Sequence, residues 1–130
     1  MAGLKQLAPA HGAAAMQAIN KEAPKPLFML LLFGTGGACV VLMIYAAFNL
    51  QAPGSKYQLV AGALYVVGVV VLTVAYHVPR NDMLDSLDPN SAEGIAYWAT
   101  YLEGWMRMNH VRTVAPLVAA VLLTVSLRVD

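Results

Sequence analysis

From Leu27 to Leu50 the chain carries no charged side chain for 24 consecutive residues. No other feature restricts the fold as strongly. As an α-helix rising ~1.5 Å per residue, the stretch exceeds the ~30 Å hydrocarbon core of a bilayer. A buried helix in a water-soluble domain does not need that length; a spanning segment does. Pro24 and Pro26 stand just ahead of the run, where proline is compatible with a helix start. Gly34, Gly36 and Gly37 would weaken a helix in water, yet in lipid they let another helix approach closely.

A second uncharged run, rich in valine and leucine, extends from Tyr57 to Val78 after a turn-forming break at Gln51–Lys56. Valines favour strands, but the run is far too long for one, and an open strand cannot satisfy its backbone in lipid. Pro79 is expected to end this helix. Arg80 to Asn90, with Asp82, Asp85 and Asp88, is expected to form a polar loop. Asn90 or Ser91 reads as an N-cap with Glu93 in the first turn, and a helix can then run to Leu127. Its first part is amphipathic and aromatic; its second is apolar apart from a few polar residues and contains Pro116, which membrane helices tolerate. Ala10 to Ala23 forms a helix too short to span, expected to lie at the interface. The expected fold is all-α: a membrane helical bundle in one domain, residues 1–130. Its three transmembrane helices cover about 27–50, 57–78 and 109–127, with an amphipathic extension over 91–108 and a short N-terminal interfacial helix.

Composition agrees. Hydrophobic residues make up 59% and charged residues 12% of the chain, against roughly a quarter charged in soluble domains. So few charges cannot clothe a water-exposed surface. A formal net charge of +1 gives no electrostatic case for nucleic acid. The one cysteine, Cys39, excludes an intrachain disulfide and a cysteine-based zinc site. Met1 to Ala15 lacks the apolar core of a secretory signal, so the later runs are expected to remain in the mature protein. Lys5, Lys21, Lys25, Arg80 and Arg107 fall on one side of the membrane, Lys56 and Arg128 on the other. The side richer in lysine and arginine faces the cytoplasm, which places the N-terminus there.

This topology gathers the unusual residues at one face. His77 ends the second span and Asn81 follows it; Asn109, His110 and Arg112 open the third; Gln17 and Asn20 precede the first. On a helix Trp98, Leu102, Trp105, Asn109, Arg112 and Pro116 share a face, with His110 about 100° round. Plain readings exist for each: Arg112 as an anchor to lipid phosphates, His77 as a helix end, Trp98 and Trp105 as belt residues. The adjacent polar pair Asn109-His110, one step before Arg112, fits anchoring less well, because ionisable groups inside a span are expensive. A histidine there can act as a base on an apolar carbonyl compound, with Arg112 or Asn109 steadying the oxyanion. Two histidines can also ligate haem, but two ligands fix neither a metal nor a geometry. Neither a metal nor a cofactor is expected.

Ala15-Met-Gln-Ala-Ile-Asn20, Pro26-Leu-Phe28, Val78-Pro-Arg-Asn81 and Trp98…Trp105-x-x-x-Asn109-His-Val-Arg-Thr113 together resemble the anthrone oxygenase-like family of small membrane proteins. The last string is the most specific. The resemblance implies a four-helix membrane bundle, for bacterial members in the inner (cytoplasmic) membrane. In polyketide-pathway members it implies cofactor-free oxidation of an anthrone to an anthraquinone by O₂. Members usually carry a further apolar helix before the segment aligned with Met1 to Leu7, absent here: either the chain was started late, or the bundle is completed by another copy or protein. The expected function is a cofactor-independent oxygenase for a lipophilic aromatic, with His110, Arg112, Asn109 and His77 catalytic. Trp98, Trp105, Asn20 and Asn81 are expected to bind substrate. The alternative is a non-catalytic subunit packed against a larger membrane complex.

Overall fold

The computed structural model describes Met1 and residues 3–129, and the regular structure among them is entirely helical. A 3₁₀ turn at Leu4–Gln6 leads into α1 (Pro9–Glu22). Three long helices follow: α2 (Pro26–Phe48), α3 (Ser55–Ser86) and α4 (Ala92–Ser126), each long and apolar enough to cross a membrane. The protein is an integral membrane helical bundle of three spans with a shorter helix ahead of them.

α2 opens at Pro26, whose missing N–H belongs to a turn that has no intrahelical acceptor for it. Its buried residues Leu32, Gly36, Cys39 and Ala46 recur at helical spacing and form one stripe. That stripe lies on α3, and small residues set the separation. A Cβ on Gly36 would stand 2.9 Å from Val70 Cγ2, and one on Gly62 would collide with Met43. Close backbone approach is what drives helix association where lipid removes the hydrophobic advantage. The glycine cluster therefore divides. Gly36 serves the contact inside the chain, whereas Gly37 has nothing within 4 Å and Gly34 meets only Leu30 of its own helix, at 3.8 Å.

α3 does not stop at Pro79. Its turns widen to π geometry over Val66–Val71 and again over Thr73–His77, and the Val78 N–H bonds the Thr73 carbonyl five residues back. In a regular helix a proline ring clashes with the carbonyl four residues earlier; a wide turn removes that clash. Pro79 then sits as the second residue of a further α segment, Val78–Ser86. The stretch expected to leave the helix at Arg80 stays helical through Ser86, and the connection to α4 shrinks to residues 87–91.

Ser91 caps α4, its Oγ accepting the Gly94 N–H at 2.9 Å, with Glu93 placed favourably toward the positive end of the helix. At ~1.5 Å per residue, the 35 residues of α4 outrun the ~30 Å core by about 20 Å. The N-terminal part of α4 and the end of α3 thus project together beyond the hydrocarbon, and α1 covers them. Ala13 and Met16 of α1 pack with Leu84, Trp98, Tyr101 and Leu102. Gly12 permits this: a Cβ there would lie 2.9 Å from Trp98 Cζ2. Gln17 Nε2 donates to the carbonyls of Leu84 and Leu87 at 2.8 and 2.9 Å, satisfying acceptors that the end of α3 leaves open.

Gly36→Leu is expected to lower the melting temperature of the detergent-solubilised protein, because overpacking of this kind costs roughly 1–3 kcal/mol. Gly37→Leu should leave it unchanged. Equal effects of the two would contradict the division of the glycine cluster.

Candidate active site

The last turn of α1, the first turns of α2, and the middle of α3 and α4 enclose a cavity of about 360 Å³. Most of its wall is apolar, including Met16, Phe28, Leu32 and Phe33. Against that lining stand Asn20, Thr73, His77, Asn81, Trp105 and Arg112. Thr73, His77 and Asn81 come from α3 at four-residue spacing, and the widened turns keep all three aimed inward.

His77 is the most enclosed of them, 1% exposed. Its ring meets Trp105 edge to face, with centroids 5.3 Å apart, and Tyr76 at 5.5 Å. Neither Nδ1 nor Nε2 has a hydrogen-bond partner among the described residues, and the Trp105 indole Nε1 is likewise unpartnered. Buried polar atoms are nearly always satisfied, so three unpartnered ones on two side chains that line the hollow are unusual. A neutral imidazole offers one donor and one acceptor nitrogen.

Arg112 supplies the charge. Its Nη2 donates to Asn109 Oδ1 at 2.7 Å and its Nη1 reaches Thr73 Oγ1 at 3.5 Å, while its guanidinium lies 5.7 Å from the Trp105 ring. No carboxylate pairs with it among the described residues; the ion pairs are Lys25–Glu22 and Arg107–Glu103, both exposed. From Ser126, Arg112 lies about 21 Å along the helix, short of the ~30 Å needed to leave the hydrocarbon. It is a half-buried cation without a counter-ion, beside a cavity.

The expected residues separate on the structure. His77, Asn20, Asn81, Trp105 and Arg112 share the cavity wall, and Asn109 supports Arg112 from outside it. Trp98 is 4% exposed, stacked on Tyr101 with centroids 5.8 Å apart, and belongs to the core under α1. His110 does not join the cavity. It is exposed and borders a shallow apolar hollow with Leu64, Val111 and Val114, because one residue past Asn109 turns a side chain by about 100°. The two histidines therefore face no common space and cannot act as a ligand pair. Among the described residues no three His, Cys, Asp or Glu side chains gather as a metal site requires.

Two members were not foreseen. Thr73 touches Arg112, and Tyr101 O–H donates to Asn81 Oδ1 at 2.7 Å. Thr73 carried a signal, a hydroxyl four residues before His77 in an otherwise apolar run. Tyr101 carried none, since its partner is twenty residues away on another helix.

A three-span helical bundle with a polar-studded hollow between its helices defines a class of small multi-pass membrane proteins. The anthrone oxygenase family matches residues 27–122, well over half the chain, and the protein belongs to that family. Neither a curated protein nor a solved structure matches it.

The two tryptophans allow a direct check of the cavity. An anthracene ligand such as 9-anthracenecarboxylate should quench indole fluorescence in Trp98→Phe but not in Trp105→Phe. Quenching that survives only in Trp105→Phe would place the ligand elsewhere.

Proposed function

We propose that the protein is a membrane-embedded, cofactor-independent oxygenase acting on a lipophilic, anthrone-like aromatic. The observation that carries this reading is the unpaired Arg112 guanidinium beside the unpartnered His77 imidazole in an apolar cavity. His77 takes the activated methylene proton, and the charge delocalises onto the substrate's carbonyl oxygen. Arg112 favours that oxyanion, since a fixed cation in a water-poor site is far more effective than in bulk water. Asn109 holds Arg112 in place, and Trp105 offers a flat apolar face to the rings. The carbanion then reacts with O₂ to a peroxide at the same carbon. Loss of water from the peroxide leaves a second carbonyl, so anthrone and O₂ become anthraquinone and water. The base expected at His110 moves to His77 in this mechanism, because only His77 borders the cavity.

Family membership supports the reaction class, and the cavity supports a molecule that arrives from the bilayer. The open glycines of α2, Gly34 and Gly37, favour a neighbouring helix or a second copy against that face. The Lys/Arg distribution favours a bacterial inner membrane orientation with the N-terminus in the cytoplasm.

With anthrone as the probe, the wild-type protein should consume O₂ and accumulate anthraquinone. His77→Ala and Arg112→Ala should each lower turnover by about two orders of magnitude or more, while His110→Ala retains it. Loss in His110→Ala with retention in His77→Ala would overturn the assignment. A reporter fused after Asp130 should be external and one inserted within residues 87–91 internal; the reverse result would invert the orientation.

A further inference from the structure

We propose that Tyr101 is a positioning residue that turns the Asn81 amide so its NH₂ group faces the cavity. This makes the site select for an acceptor-only, oxyanionic end on its aromatic ligand. The inference rests on the oxygenase reading for the identity of that oxyanion, but not for its geometry.

Asn81 lines the cavity, whereas Tyr101 stands behind the wall, 2% exposed. The Tyr101 hydroxyl donates to Asn81 Oδ1 at 2.7 Å. An amide can be turned end for end with little change in shape, so its partners decide its orientation. Were it turned, its NH₂ would face the Tyr101 oxygen and the buried phenolic hydrogen would lose its acceptor. Leaving a buried donor unmade is the costly alternative. With Oδ1 taken, Nδ2 is the half of the amide left without a partner among the described residues, on a side chain that borders the hollow.

Donors then predominate on the α3 and α4 side of the cavity. Asn81 Nδ2, the Trp105 indole N–H and the Arg112 guanidinium can only donate. Asn109 Oδ1 is occupied by Arg112, whereas Asn20 on α1, its Nδ2 drawn to Asp85 Oδ1 at 3.3 Å, keeps Oδ1 as an acceptor. His77 alone on α3 and α4 offers a free nitrogen acceptor at the wall. A ligand end that carries lone pairs and charge is matched by this array. One that carries a methyl group leaves several donors unmade.

The test uses the full chain in detergent and measures binding, so it is independent of whether the protein turns over anthrone. The probes are 9-anthracenecarboxylate and 9-methylanthracene, of nearly equal shape and differing in the acceptor end. Wild type should bind the carboxylate more tightly; equal affinity would overturn the proposal. Tyr101→Phe should weaken the carboxylate about three- to tenfold, the range of one hydrogen bond, and leave the methyl compound unchanged. Tyr97→Phe, which removes a hydroxyl 3.4 Å from the Arg80 carbonyl, should alter neither. Asn81→Leu should lose the same preference, and combining it with Tyr101→Phe should add nothing, as expected of residues acting through one group. Asn81→Asp keeps an acceptor for Tyr101 but removes the donor, so it should abolish carboxylate preference even if Tyr101→Phe fails to fold. Parallel losses for both ligands in Tyr101→Phe, additive effects in the double variant, or undiminished preference in Asn81→Asp would each show a merely structural tyrosine.

Discussion

The wide turn at Thr73–His77 supports more of this architecture than any other local feature. Its Val78-to-Thr73 hydrogen bond spans five residues, which makes room for Pro79 and lets α3 continue to Ser86. Without that continuation there would be no helix end for Gln17 to cap and no Leu84 for α1 to bury against. The same turn aims Thr73 and His77 at the cavity and puts Asn81 one turn further along. A local departure from α geometry thus joins the membrane span to the projecting end and sets the side chains between them. The cost is a less favourable helical segment.

Polarity is concentrated where it is hardest to keep. Lipid offers no hydrogen bonds, so each polar group at the cavity either finds a protein partner or waits for a ligand. Among the described residues Arg112 finds two neutral partners and no counter-ion, Asn81 has one half of its amide engaged, and His77 and Trp105 have none. The partners present are all orienting ones. They hold the groups without neutralising them.

Much of the fold was legible in the sequence, for simple reasons. The uncharged runs after Pro26 and after Lys56 exceed a bilayer in length, and Ser91 with Glu93 marks a helix start by chemistry. The error at Pro79 came from treating proline as a stop, which holds for α turns and not for the π turn ahead of it. The face carrying Trp105, Asn109 and Arg112 followed from spacing along one helix. Rotation between helices did not, so nothing in the sequence said which of His77 and His110 would turn inward. Trp98 shows the same limit: it shares the face of Trp105 but lies higher, where α1 rather than the cavity covers it. The Tyr101–Asn81 bond depends on packing between α3 and α4 and leaves no trace in either segment.

Gly12 has an effect beyond stability. α1 roofs the cavity through Met16, Ile19 and Asn20, and its height above α4 is set where the Gly12 backbone rests on the Trp98 ring. A single methyl at that point would have to lift or tilt α1, raising the ceiling while leaving His77, Arg112 and Asn81 untouched on α3 and α4. The bore of the chamber is thus set from α1, while most of its polar lining is carried by α3 and α4. The chamber can therefore be enlarged by substitution at one small residue, with its α3 and α4 lining kept in register.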